Sequence, residues 1–138
     1  LRIDRQCTTA LALAEVLAKR AEVTGLRYPG LPGDPSHPVA ARQMRRFGSV
    51  VSFELRDGVE AGRRFVDGVS LFSHLANIGD VRSLIIHPAS TTHSQLTEEQ
   101  LVATGATPGL VRLSVGLENV DDLKADLEAG FRAAKAAS

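Results

Sequence analysis

A single cysteine, Cys7, stands among the 138 residues, so no internal disulfide framework can staple this chain, and the composition suits a reducing cytoplasm. Excess charge of either sign is also missing. Sixteen Lys/Arg cancel sixteen Asp/Glu, and no basic block is longer than Arg45-Arg46 or Arg63-Arg64, so neither nucleic acid nor an anionic membrane is implied as a partner. Apolar runs stop far short of the roughly 20 residues that span a bilayer. His87 and His93 lie six apart with no third ligand and no helical frame, which is poor spacing for zinc. Ser90 and Ser94 near His93 lack a Gly-x-Ser-x-Gly elbow, so hydrolase chemistry gains no support. No internal repeat is visible. What remains is a chain of a size to form one compact domain with its own core.

The apolar residues that are present recur with regular periods. Ile3, Cys7, Ala10, Ala14 and Leu17 follow the 4-3-4-3 spacing of an amphipathic helix over residues 1 to about 20, with Cys7 on the apolar stripe as a buried, inert thiol. No Ser, Thr, Asp or Asn precedes that run to cap it, and the first residue is Leu1 rather than methionine. The expectation is a fragment whose capping turn lies upstream. Residues 23–28 read as a short strand, and the segment from Pro29 to Pro38, broken by Pro32 and Pro35, reads as a loop or lid. Helical composition follows over 39–46, then an alternating, antiparallel-type strand over 48–55. Asp57-Gly58 signals a turn into a second amphipathic helix carrying Val59, Gly62, Phe65, Val66 and Val69. Residues 70–78 are weakly periodic. A short inner strand over 83–87 leads into the hydroxyl-rich loop from His87 to His93. Thr97-Glu98-Glu99-Gln100 is a capping box for a helix of about two turns ending at Gly105. Asn119 caps a last helix with Val120, Leu123, Leu127, Phe131 and Ala134 on one stripe. The sum is an α+β, two-layer arrangement: a small, mostly antiparallel sheet of about four strands covered on one side by helices.

One strand stands out within this plan. From Leu110 to Leu117 the residues alternate, with Val111, Leu113, Val115 and Leu117 on one face and Leu110, Arg112, Ser114 and Gly116 on the other. Arg112 therefore sits mid-strand with small residues beyond it, and a planar fork of donors on a rigid element suits bidentate capture of a carboxylate. By spacing alone, an arginine paired with a structural acid or lying along the sheet surface is the commoner arrangement.

Three segments in this order and spacing carry more: Asn77-Ile78-Gly79-Asp80, His87-Pro88-Ala89-Ser90-Thr91-Thr92-His93, and Leu110-Val111-Arg112-Leu113-Ser114-Val115-Gly116-Leu117-Glu118. Together they resemble the C-terminal domain of the Cys/Met-metabolism pyridoxal-phosphate enzymes of fold type I, over essentially the whole chain and most tightly from about residue 70 onward. The resemblance implies that Arg112 clamps the α-carboxylate of an amino-acid substrate, that Asn77 occupies a second carboxylate contact commonly filled by serine, and that Thr92 is a hydroxyl lining the same pocket. Holding the carboxylate would orient the reacting Cα–H bond against the coenzyme ring.

Within that family, Ala76 stands where enzymes handling cystathionine often carry a glutamate for the distal ammonium of that substrate, and alanine cannot serve that purpose. The Ala76-Asn77 pair and the Ser-Thr-Thr-His run look more like O-acetylhomoserine sulfhydrylase, a transferase of methionine biosynthesis that replaces acetate with sulfide to give homocysteine. Cystathionine γ-synthase, cystathionine γ-lyase and methionine γ-lyase are the alternatives in the family, and a non-catalytic amino-acid-binding module is the alternative outside it. The family's coenzyme-bearing lysine and phosphate-binding residues belong to a large preceding domain. Lys19, Lys124 and Lys135 match none of its motifs, so the resemblance implies residues 1–138 as an isolated substrate-clamping domain, inactive and without bound pyridoxal phosphate, from a parent enzyme that is typically a cytoplasmic tetramer.

Overall fold

Alternation in the strands decides where the core lies. The computed structural model describes residues 1–91 and 94–136, and in it five strands form one sheet in the order β1-β2-β5-β4-β3. These are β1 (Val23–Arg27), β2 (Val50–Leu55), β3 (Ser73–His74), β4 (Leu84–Ile86) and β5 (Leu110–Ser114). β2 alternates half-buried and buried residues along its whole length, the signature of a sheet packed on one side. Three of the four pairings are antiparallel, and β3 joins β4 in parallel. The expected strand count of about four is thus exceeded by β3, a two-residue strand inside the weakly periodic segment, too short to leave a period of its own.

The helices are α1 (Arg2–Leu17), α2 (His37–Gln43), α3 (Gly58–Gly68), α4 (Glu98–Ala103) and α5 (Val120–Lys135), and α1, α3 and α5 cover one face of the sheet. One continuous core forms where Val51, Phe53, Leu55, Ile85, Val111, Leu113 and Val115 meet Leu13 and Leu17 of α1, Phe65 of α3, and Leu123, Leu127 and Phe131 of α5. Phe65 is wedged edge-on between Phe53 and Phe131, with centroids 5.5 and 4.9 Å away, the geometry that aligns ring edges with ring faces. Cys7 is buried on α1 as expected. Ile3 and Val59 are exposed instead, each in the first turn of its helix.

Local signals and long-range ties divide the work of holding the ends. The Thr97–Gln100 capping box closes the first turn of α4, and Asn119 accepts from the amides of Asp121 and Asp122 at the start of α5. α2 begins two residues before its expected start, with Pro38 in its first turn, and stops at Gln43, where Met44 turns extended. Buried Asp126 of α5 accepts from the amides of Ser70, Leu71 and Phe72, docking the exit from α3 onto α5. Asp34 organises the proline-rich loop by accepting from the amides of Tyr28 and Ser36 and from the Ser36 hydroxyl. No helix among the described residues is long and apolar enough to cross a membrane.

Candidate functional site

The face of the sheet that the helices leave bare carries the site. Cross-strand partners share a face, so Ser52 of β2, Arg112 of β5 and Ile86 of β4 form one row across the centre of the sheet. That row floors a cleft of about 600 Å³. Ala76, Asn77 and Ile78, in the loop after β3, form one wall; Pro88, and Thr104 to Ala106 after α4, form the rest. The bare face does not continue along β5. Gly79 donates its amide toward the Ser114 hydroxyl at 3.4 Å, and the backbone of residues 81–83 crosses directly over Gly116, so Ser114 and Gly116 are buried and the opening is confined to Arg112 and its neighbours.

Gly116 is required by that crossing. A Cβ there would stand 2.3 Å from the Val81 carbonyl oxygen and 2.5 Å from the Arg82 carbonyl carbon, backbone atoms that cannot move aside. The close approach lets Leu117 donate its amide to Val81 and Gly116 donate its own to the Ser83 hydroxyl at 2.8 Å. Glu118 completes the clasp, its carboxylate accepting from the amide and hydroxyl of Ser83, both at 2.7 Å. Sequence reading missed these roles of Gly116 and Glu118. The loop that presents Asn77 is further fixed by Gln6 of α1, which donates to the Asp80 carbonyl at 2.8 Å.

Arg112 is half-buried at the cleft floor, and no acidic side chain among the described residues pairs with it. A guanidinium held mid-strand in a cleft, with its donor fork unspent, is suited to a planar anion. Asn77 lines the same cleft and is exposed; its side-chain oxygen accepts from the amide of Ile78 at 2.8 Å, leaving its amide group as a donor. Thr92 lies outside the described residues, as does His93. Ser52, directly opposite Arg112, is a floor hydroxyl that sequence reading did not single out; the period-2 alternation of β2 places it on the face of Arg112 and could have found it.

His87 is the buried titratable group beside the cleft. Its Nε2 lies 2.6 Å from the Pro108 carbonyl oxygen and its Nδ1 lies 2.8 Å from the Ser90 hydroxyl. Desolvation holds its pKa below the ordinary histidine value, against the opposing pull of the Pro108 carbonyl. With Nε2 committed to a carbonyl, His87 and Ser90 form no nucleophile–base pair facing the cleft. No group of three His, Cys, Asp or Glu that could hold a metal occurs among the described residues. None of the three lysines lines the cleft either. Lys124 lies 3.9 Å from Asp121, Lys135 lies 3.0 Å from Glu22, and Lys19 is exposed at the end of α1. The titratable and cationic groups that the cleft does gather are therefore few, with Arg112 the cation among its described lining residues.

Known proteins share this architecture closely. The model of the Cys/Met metabolism PLP-dependent enzymes matches residues 1–132. O-acetyl-L-homoserine sulfhydrylase of Leptospira meyeri is 50% identical over 134 residues, 96% of this chain and 30% of that protein. L-methionine gamma-lyase of Pseudomonas putida is 47% identical over 133 residues, again 96% of this chain and 33% of the relative. Among solved structures, cystathionine gamma synthase from Xanthomonas oryzae pv. oryzae, in complex with aminoacrylate and cysteine, superposes with a TM-score of 0.89 at 44% identity, covering 99% of this chain and 35% of that one. This chain thus spans about a third of the length of the relatives it matches. By the extent of the family match and of these identities, the chain belongs to the pyridoxal-phosphate-dependent enzymes of Cys/Met metabolism, with the fold of fold type I.

Proposed function

We propose that residues 1–138 are the substrate-clamping domain of such an enzyme, with Arg112 gripping the α-carboxylate of an amino acid and Asn77 and Thr92 contributing to the same pocket. The observation that carries this reading is the guanidinium of Arg112, mid-strand at the floor of a cleft and without an acidic partner among the described residues. An arginine held for structure by an ion pair would have spent its donors on a neighbouring acid. The family resemblance puts the coenzyme-bearing lysine in a part of the parent enzyme outside residues 1–138. Pyridoxal phosphate supplies the electron sink when bound there, and the residues of this chain supply the hold on the carboxylate.

The reaction supported best is γ-replacement, in which O-acetylhomoserine and hydrogen sulfide give homocysteine and acetate in a cytoplasmic, tetrameric parent enzyme. Ala76 supports it. Exposed at the cleft wall, it offers no carboxylate for a distal ammonium, which disfavours cystathionine as ligand. Methionine γ-lyase is the second reading, favoured by the 47% identity to the Pseudomonas putida enzyme. The full-length enzyme separates them. Supplied with O-acetylhomoserine and sulfide it is expected to release homocysteine, while methionine alone yields little methanethiol; rapid methanethiol release with no homocysteine formation would transfer the assignment to the γ-lyase.

A further inference from the structure

Two stretches of the cleft lining meet at one imidazole. Pro88 and the segment from Thr104 to Ala106 both line the cleft, and they descend from different parts of the chain: a single 3-10 turn, Pro88–Ser90, and the turn between α4 and β5. His87 lies at the root of the first, immediately after Ile86, the β4 residue paired with Arg112. Its ring reaches across to the root of the second, the Pro108 carbonyl, two residues before β5 begins. This side chain is fully buried.

The partners fix the proton. A carbonyl can only accept, so Nε2 carries the hydrogen and donates it to Pro108, which leaves Nδ1 of a neutral ring as the acceptor for the Ser90 hydroxyl. The Ser90 oxygen is 2.8 Å from Nδ1 and 3.3 Å from the His87 carbonyl oxygen, so the ring is its better acceptor. The turn is tightened further by the Thr91 hydroxyl and the Ser90 amide, which both donate to the His87 carbonyl. α3 backs the ring from the third side, where a Cβ on Gly62 would stand 2.4 Å from Nε2. The ring thus has one seat, and that seat admits no side chain opposite.

We propose that His87 is a positioning residue for the Arg112 cleft, its Nε2–H tautomer fixed by Ser90 and its tie to Pro108 setting the width at which a carboxylate meets the guanidinium. This inference rests on the reading of Arg112 as the carboxylate grip. An angstrom of slack between the walls would let the ligand sit off the axis of the guanidinium fork, which is costly for an interaction that depends on two parallel hydrogen bonds.

The test compares two competitive ligands of the full-length enzyme: L-norleucine, which has the carboxylate, and n-pentylamine, which is the same chain without it. The glutamine of H87Q places an amide nitrogen where Nε2 stands, and the shorter asparagine of H87N does not reach that point. H87Q is therefore expected to hold the norleucine Ki within about threefold of wild type, while H87N raises it between about ten- and a hundredfold. Pentylamine should be unaffected in both. Equal behaviour of H87Q and H87N, or equal loss for both ligands, overturns the proposal, because a merely structural histidine gives no rescue and no carboxylate selectivity. S90A serves if H87N does not fold: the norleucine Ki should rise about two- to fivefold with pentylamine unchanged, and no change for norleucine overturns the proposal. The R112A variant keeps the two readings separate. If R112A leaves the preference for norleucine intact, the grip itself is misassigned; if R112A abolishes it and H87N does not alter it, only the role of His87 fails.

Discussion

The two faces of β5 share one backbone and have opposite fates. Val111 and Leu113 point into the helices and are wholly buried, while Arg112 between them opens onto a cleft walled by loops. On the covered face a side chain is chosen by volume and shape, because packing leaves no room for choice. On the bare face Arg112 has no acidic partner among the described residues and keeps its hydrogen-bonding capacity. The difference teaches where each kind of substitution should register: in unfolding on one side, in ligand recognition on the other.

The largest effect expected on the covered face comes from Phe65→Ala, which removes the ring held between Phe53 and Phe131 and should cost about 3–5 kcal/mol, read as a fall in the denaturation midpoint. A loss under about 1 kcal/mol would mean that the aromatic cluster repacks. Across the sheet, Arg112→Ala should leave the unfolding midpoint nearly unchanged while lowering kcat/KM of the full-length enzyme by roughly thirty- to several-thousandfold, the equivalent of about 2–5 kcal/mol for truncating one partner of a charged pair. Steady-state kinetics beside thermal melts separate the two faces directly.

Smaller in magnitude is Asp126→Asn. It replaces one acceptor oxygen facing the amides of Ser70, Leu71 and Phe72 with a donor, at a cost of about 1–3 kcal/mol in unfolding free energy. Acid should probe Asp34 at the lower end of the scale. Burial alone would raise its pKa, but the hydrogen bonds from Ser36 and Tyr28, with Arg27 nearby, outweigh that and hold it below the usual carboxylate value. Its contribution is therefore full above the unfolded-state pKa of about 3.9 and is lost as pH falls through the lowered folded value. Melts of wild type and Asp34→Asn should converge on acidification through that window, and parallel curves would remove the assignment.

His87 behaves with the same sign for a different reason. Desolvation lowers its pKa, so the unfolded chain binds the proton first, at about pH 6.5, and the stability it confers is present above that value and declines as pH falls toward the lowered folded pKa. The difference in melting temperature between wild type and H87Q should shrink across that interval.

Sequence alone carried the local grammar well. The alternation over 110–114, the Thr97 capping box, the Asn119 cap and the apolar stripe of α5 are each written within a few consecutive residues, and each was readable for that reason. The cleft was legible through Arg112 and, by resemblance, through Ala76 and Asn77. Asp126, Glu118 and His87 left no readable signal because their partners lie 56, 35 and 21 residues away, respectively. Composition cannot distinguish an aspartate on a solvated helix face from one that docks a neighbouring segment. Leu117 shows the same limit in reverse: its alternation predicts a buried position, but pairing ends at Ser114 and the side chain emerges into solvent.

The segment carrying Ala76, Asn77 and Ile78 is anchored before its start by Asp126 and after its end by Gln6, Ser83 and Glu118, while its own three side chains are exposed. Such a span behaves as an exchangeable inlay in a fixed frame. If the proposed function holds, substitutions at these three positions would alter selectivity among amino-acid substrates while the strand that carries Arg112 stays unchanged.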